Sequence, residues 1–449
     1  MKNAQKITVL LILMLSVSLF VGCSSKQESA ISKINGSNEN EEKIEDRVVT
    51  VYCGTELAED PKVQKMDEQF TKETGIKVEK VVLPGAGAEV YNKIKISLVA
   101  GETTDVFRMS SSIYQYESAE AGFLMPLNDL IKKDNYDVEK IYGKYLTKDE
   151  NGMINYLPYS SSSWAVFYNK KIFDEAGVPY PEGEWTWDEY IETAKKLTDS
   201  EKGIYGSYML DYDIYRYFLA RQKNVSAYKE DGTSNYDDPV FAESMKFFGD
   251  LGEGYKVQPS YLEFTTKKYA WDQFMTGEFG MHFIGSWYLG LLSDMEKYPR
   301  DWDWGITQLP TPEDGKNNFG NIAAFGINKN ADHPEEAFEY LKFIAENQAL
   351  YTNRVPARAD IGKEEMLKVF EDIANNSGGS VTAENLYDAL YDNGLGFVTE
   401  KIVGPAAAEY SSIIIQESEL YYVGEQTLDE TVESISKRVN KAIEDSQDE

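Results

Sequence analysis

Residues 47–107 read RVVTVYCGTELAEDPKVQKMDEQFTKETGIKVEKVVLPGAGAEVYNKIKISLVAGETTDVF. Val48-Val49-Thr50-Val51-Tyr52 is short, apolar and rich in β-branched side chains, as a buried first strand requires. Val63, Met66 and Phe70 then recur at helical spacing, and Gly75 supplies a stop. Ile76, Val78 and Val82 read as a second strand. Ile94 and Leu98 mark another helix, ended near Gly101, and Asp105-Val106-Phe107 is a short third strand. A βαβαβ order of this kind predicts an α/β fold, with a parallel sheet covered by helices on both faces. Ligands of such sheets bind beyond the carboxyl ends of the strands. The segments to watch are therefore those after Tyr52, after Phe107 and around Tyr159.

Further along, helices announce themselves by their caps. Thr186 with Glu189 forms a capping box ahead of Ile191, Ala194 and Leu197. Asp332 with Pro334 is expected to open a helix carrying Ala337, Phe338, Leu341 and Ile344. Thr427 with Glu430 caps a last helix carrying Val432, Ile435 and Val439. No repeat of fixed period is visible.

The N-terminus follows a different logic. Lys2 and Lys6 precede an apolar run from Ile7 to Val21, the pattern of a signal peptide over residues 1–22. The run is short for a spanning helix, which needs about 20 apolar residues. Leu19-Phe20-Val21-Gly22-Cys23 resembles a bacterial lipobox, so Cys23 is expected to carry the lipid that attaches the chain to the cell membrane. Several acyl chains on one Cys suffice for stable anchoring. Residues 24–46 lack aromatics and are rich in Ser, Asn, Glu and Lys. They are expected to act as a flexible tether on the order of 25 Å in root-mean-square span. The remaining cysteine, Cys53, then has no partner for an internal disulfide.

The net charge is −31, from 76 acidic and 45 basic residues. Such a surface repels nucleic acid, whose phosphates need clustered Lys and Arg. There are 31 Tyr and 7 Trp, more Tyr than a core needs; half-exposed rings suit a site where flat ligand faces stack, although Tyr at lobe surfaces and interfaces accounts for most of them. Enzyme readings find little support. Two histidines, His282 and His333, are too few for a His-rich zinc site. There is no P-loop, no G-x-S-x-G elbow and no G-x-G-x-x-G opening. Asp211, Asp213, Asp301 and Asp303 lack the loop of a calcium site. No cofactor or metal is expected. With so many acids a glycosidase carboxylate pair can always be imagined, which makes such a pair uninformative.

Several short segments occur in a telling order. They include Phe70-Thr71-Lys72-Glu73-Thr74-Gly75-Ile76-Lys77-Val78, Leu98-Val99-Ala100-Gly101, Gly122-Phe123-Leu124, Leu157-Pro158-Tyr159 and Tyr168-Asn169-Lys170. Thr186-Trp187-Asp188-Glu189, Phe274-Met275-Thr276-Gly277, Gly285-Ser286-Trp287 and His333-Pro334 follow. Together, from about Val48 to Ile443, they resemble the extracellular solute-binding proteins of carbohydrate ABC importers, the group that includes maltose-binding protein. The resemblance implies a two-lobed periplasmic-binding-protein-like fold of type II, each lobe a sheet flanked by helices and joined by a hinge. Lobe one is expected over 47–170 plus 306–355 and lobe two over 171–305 plus 356–449. It further implies a monomeric, extracytoplasmic carrier and not an enzyme. The carrier would capture a mono- or oligosaccharide between the lobes and deliver it to permease subunits in the membrane. A lipid-anchored glycoside hydrolase, or a binding protein for a peptide, polyamine or anion, are the alternatives.

Sugars present hydroxyls at their edges and C–H groups on their faces, so a site needs aromatic plates plus polar groups that satisfy the hydroxyls. Trp287 occupies the place of a stacking Trp in the resemblance; a core Trp closing a helical turn is the other reading. Tyr159 and Trp164 flank the run Ser160-Ser161-Ser162-Ser163, expected as a loop before a strand from Ala165 to Tyr168, with Ser162 as a ligand contact or as part of a Ser-rich turn. Ser110, Ser111 and Ser112 follow the third strand, and Glu56 follows the first. Asn321 and Arg358 fall near the cleft in the resemblance, and either can equally be a surface residue. Trp185, Trp187, Trp302 and Trp304 read as packing residues, and His282 as core.

Overall fold

A computed structural model describes residues 47–447 apart from positions 86, 150, 210, 353, 392 and 393. The expected signal segment, Cys23 and the tether lie outside the described residues. Strand β1 (Val48–Gly54) pairs in parallel with β2 (Lys77–Leu83) and with β3 (Val106–Met109). Helices α1 (Thr55–Glu59), α2 (Pro61–Thr74) and α3 (Gly87–Val99) make the connections. The βαβαβ reading is therefore realised. Asp60 caps α2 by accepting from the Lys62 N–H, Pro61 occupies its first turn, and Gly75 ends it at φ 75°, a conformation only glycine adopts freely. Alternation along β1 and β3 serves both faces of the sheet. Val49, Val51 and Val106 join Val63, Met66 and Phe70 of α2 on one side, while Tyr52, Phe107 and Met109 join Ile94 and Leu98 of α3 on the other.

The sheet continues through β4 (Leu157–Asn169), β5 (Tyr205–Tyr208), β6 (Phe279–Gly285), β7 (Trp304–Gln308), β8 (Asn317–Ile327) and β9 (Gly396–Thr399), in the order β2-β1-β3-β8-β4-β6-β5, with β7 on β4 and β9 on β8. Two strands tie the lobes together. The first half of β4 pairs with β8 through Leu157–Ser163, and the second half pairs with β6 and β7 through Trp164–Asn169. The run Ser160–Ser163 is thus the middle of a long strand and not the loop expected before it. Asn318 holds the changeover: its side-chain oxygen accepts from the Trp164 N–H at 3.1 Å, and its amide donates to the Trp164 carbonyl at 2.9 Å. A third crossing runs beside β4, where the Ser161 N–H donates to the Val355 carbonyl and the Ala357 N–H to that of Tyr159.

A second large core gathers Trp187, Tyr190, Phe218, Phe241, Phe283 and Tyr410. It also takes in Trp164–Tyr168, Ile306 and Leu309, because the second half of β4 lies between β6 and β7 there. By packing, the buried apolar residues from Trp164 through Phe319, those of β7 included, go with this second core, while Leu157, Tyr159, Ala323, Phe325 and Ile327 go with the first. Trp185, Trp187, Trp302, Trp304 and His282 are buried. The Thr186–Glu189 capping box is present, and Thr427 and Glu430 exchange the same bonds. The helix Pro334–Tyr351 is preceded by His333 at its cap position. Asp332, expected to share that role, instead accepts from the Thr103 hydroxyl at 2.6 Å. Among the described residues no helix is long and apolar enough to cross a membrane.

Candidate ligand-binding cleft

Where the two cores face one another, a cavity of about 550 Å³ opens between β3, the middle of β4, β8 and the turn after β6. Trp287 lies in its wall, 42% exposed among otherwise buried neighbours. Its posture follows from Gly285: a Cβ there would stand 2.8 Å from both Cδ1 and Nε1 of the Trp287 ring. At φ −67° and ψ 150° the glycine backbone is ordinary, so the missing side chain serves the ring and not the turn.

The opposite wall is polar. Arg108 of β3 stands over the Tyr159 ring, 5.6 Å from its centroid. Asn321 donates through its amide to the Ser110 carbonyl at 2.6 Å. Arg108 Nε, the Tyr159 hydroxyl and Asn321 Oδ1 are all buried and carry no hydrogen bond. Buried polar atoms of this kind are costly unless something pairs with them; Arg108 and Asn321 line the cavity, and Tyr159 lies beneath that wall. Ser160, Ser161 and Ser162 of β4 and Ser286 add hydroxyls, and Arg354 reaches the same cavity from the third crossing.

Glu400 supplies the acidic corner. Trp164 is 3% exposed and lies behind the wall, where it donates its indole N–H to Glu400 Oε2 at 2.6 Å. Burial pushes the Glu400 carboxyl up, with Lys401 and the Trp164 bond working against that and Asp213 adding to it. Behind Glu400, Lys401 pairs with Asp213 at 2.7 Å, and Ser411 and Tyr217 donate to the same carboxylate. Burial alone would raise Asp213, but Lys401 and these donors carry it below the usual carboxylate range.

Of the residues singled out in the sequence, Ser110, Ser162, Trp287 and Asn321 share this cavity. Glu56 is exposed at the start of α1 and lines a small adjoining recess with Arg108 and Ser110. Tyr159 is buried beneath Arg108 and Trp164 behind Glu400. The helix α4 (Ser112–Glu120) claims the other two serines. Ser111 caps it by accepting from the Ile113 N–H, and Ser112 shares a 2.8 Å hydroxyl contact with Thr399 of β9. Arg358 is engaged elsewhere, by both oxygens of Asp360 at 2.9 Å. Arg108, Arg354 and Glu400 were not singled out. Arg108 did leave a signal, a lone cation inside the apolar strand Val106-Phe107-Arg108-Met109. Among the described residues no group of three or more His, Cys, Asp or Glu is placed to hold a metal ion.

A two-lobed α/β body with a part-aromatic, part-polar cleft between its halves defines a class of ligand-capturing proteins. Residues 54–350 match the family described as bacterial extracellular solute-binding protein, and the chain belongs to that family. Among its relatives are an arabinooligosaccharide-binding protein of Halalkalibacterium halodurans, 24% identical over 68% of this chain and 68% of that one. An sn-glycerol-3-phosphate-binding periplasmic protein of Agrobacterium fabrum is 28% identical over 51% of this chain and 54% of its own length. A binding protein of Brucella abortus is matched over 61% of its length, so the chain spans less than two thirds of some of the curated relatives it matches. In fold it is similar to an ABC substrate-binding protein of Listeria monocytogenes in complex with cycloalternan, with a TM-score of 0.70, 23% identity and coverage of 89% of this chain and 99% of that one. It is likewise similar to a maltose-bound protein of T. maritima, with a TM-score of 0.63, 20% identity and coverage of 87% and 98%.

Proposed function

We propose that this chain is the substrate-binding subunit of an ABC import system, one that captures a sugar or oligosaccharide in the cleft and hands it unaltered to membrane permease subunits. The observation that carries the reading is the juxtaposition in one cavity of an exposed indole, Trp287, with the polar side chains of Arg108, Asn321 and the β4 serines. A ring face offers the stacking plate and the polar atoms offer hydroxyl partners, the two things a sugar demands. A relative named for arabinooligosaccharide binding, and fold neighbours solved with cycloalternan and maltose, support it. In the same reading the protein is a monomer outside the cytoplasm, with Cys23 carrying the lipid that holds it to the membrane.

A thermal-shift screen against a carbohydrate panel tests the proposal, since a ligand bound only by the native state raises the melting temperature. Calorimetry on the hits should give one-to-one binding, and the recovered sugar should be chemically unchanged. Cleavage of an oligosaccharide during incubation would instead establish a glycoside hydrolase. Mass spectrometry of the membrane-associated protein checks the acyl modification of Cys23.

A further inference from the structure

The chain is rich in carboxylates, yet only four of its eight arginines pair with one among the described residues; Arg221 and Arg300, away from the cleft, do not. Arg47, Arg216, Arg358 and Arg438 each pair with an Asp or Glu. The two arginines that line the cleft do not: among the described residues no carboxylate pairs with Arg108 or Arg354. The acids nearest to hand are otherwise placed. Glu400 is bound by Trp164 and offset by Lys401, and Glu56 lines the adjoining recess from an exposed position.

Arg108 is also fixed in position. Its strand is paired on both sides, with β1 and β8, its guanidinium rests over Tyr159, and its Nε is buried without an acceptor. A guanidinium does not shed its proton in a protein. When the lobes close on a ligand, a neutral sugar would leave two cations partly desolvated with only hydroxyls to face, at a cost that grows with burial. An oxyacid anion relieves that cost, because its oxygens match the planar fork of the guanidinium.

Building on the sugar-binding reading of this same cleft, we propose that the ligand is a polyhydroxylated molecule bearing an anionic oxyacid group, a carboxylate or a phosphate. Arg108 is its principal anchor and Arg354 its second. Trp287 and the β4 serines receive the uncharged remainder.

Calorimetry on the soluble form of the whole mature chain tests this with paired probes: digalacturonate against digalactose, glucose 6-phosphate against glucose, and sn-glycerol 3-phosphate against glycerol. The expected result is that at least one acidic probe binds about tenfold or more tightly than its neutral counterpart. That advantage should shrink as salt is raised, since screening weakens partly exposed charge pairs. Arg108→Gln should abolish the preference, and Arg354→Gln, at an exposed position, should reduce it without touching the fold. The carboxylate and phosphate arms tell the two anions apart. If a neutral sugar binds as well as or better than its acidic partner, and both variants leave its affinity unchanged, this inference is overturned while the sugar-binding reading stands. If no probe and no member of the carbohydrate panel binds at all, both fall together.

Discussion

Trp287 and His282 stand five positions apart and take opposite parts. Trp287 gives its ring to the cleft. Trp287→Ala is expected to weaken ligand binding by several kcal/mol, up to roughly 4 for a central aromatic anchor, with the melting temperature of the free protein nearly unchanged. Titration calorimetry measures the first and a thermal scan the second; an unaltered affinity would move the site elsewhere. His282 is wholly buried in β6, with Nδ1 2.9 Å from the Tyr208 carbonyl and Nε2 unpartnered. Burial drives its pKa from 6.5 to about 3, with the Tyr208 bond opposing. A histidine whose folded pKa is depressed resists protonation only while folded, so its contribution is complete above about pH 6.5 and is lost as pH falls toward 3. The slope is up to roughly 1.4 kcal/mol per pH unit. His282→Asn keeps a donor to Tyr208 and removes the titration. Urea denaturation at pH 7 and pH 5 should show a smaller loss for the variant than for the parent, and equal losses would refute the assignment.

Much of the element scale was legible. The parallel β1, β2 and β3 and the capping boxes at Thr186 and Thr427 rest on local chemistry, the spacing of Val63, Met66 and Phe70 or a hydroxyl three residues before a carboxylate, which sequence displays directly. What stayed hidden depends on distant partners. Ser160–Ser163 carry the low strand preference of small polar residues, and only pairing with Gly320–Ala323, far along the chain, makes them the middle of β4. Trp164 read as a ligand plate because nothing local revealed that Glu400 would take its indole. Glu400 itself left no local signal, since its importance comes from burial beside Lys401 and Asp213. Asn318 is the test at this scale. It is 2% exposed and satisfies both backbone groups of Trp164. Asn318→Ala strands those groups in the interior and should cost about 3 kcal/mol, read from chemical denaturation. A loss below about 0.5 kcal/mol would mean that β4 holds its changeover without the clasp.

At the scale of the molecule, β4, β8 and the crossing near Val355 join two cores, and closure of the lobes about those three segments is the expected response to a ligand. A ligand drives closure only by binding the closed form more tightly than the open one. Small-angle scattering is expected to show a reduced radius of gyration on addition of any tightly bound ligand, and saturation without compaction would remove hinge closure from the mechanism.

The unequal burial of the tryptophans has a practical consequence. Five of the seven are packed inside, Trp271 is half-covered and Trp287 faces water. Excited at the indole band, the protein therefore carries a largely constant background from shielded fluorophores and one lamp set at the mouth of its trap. A guest that settles on that ring will shift its emission to the blue, so that occupancy can be followed in real time with no label attached. The signal should vanish in Trp287→Phe.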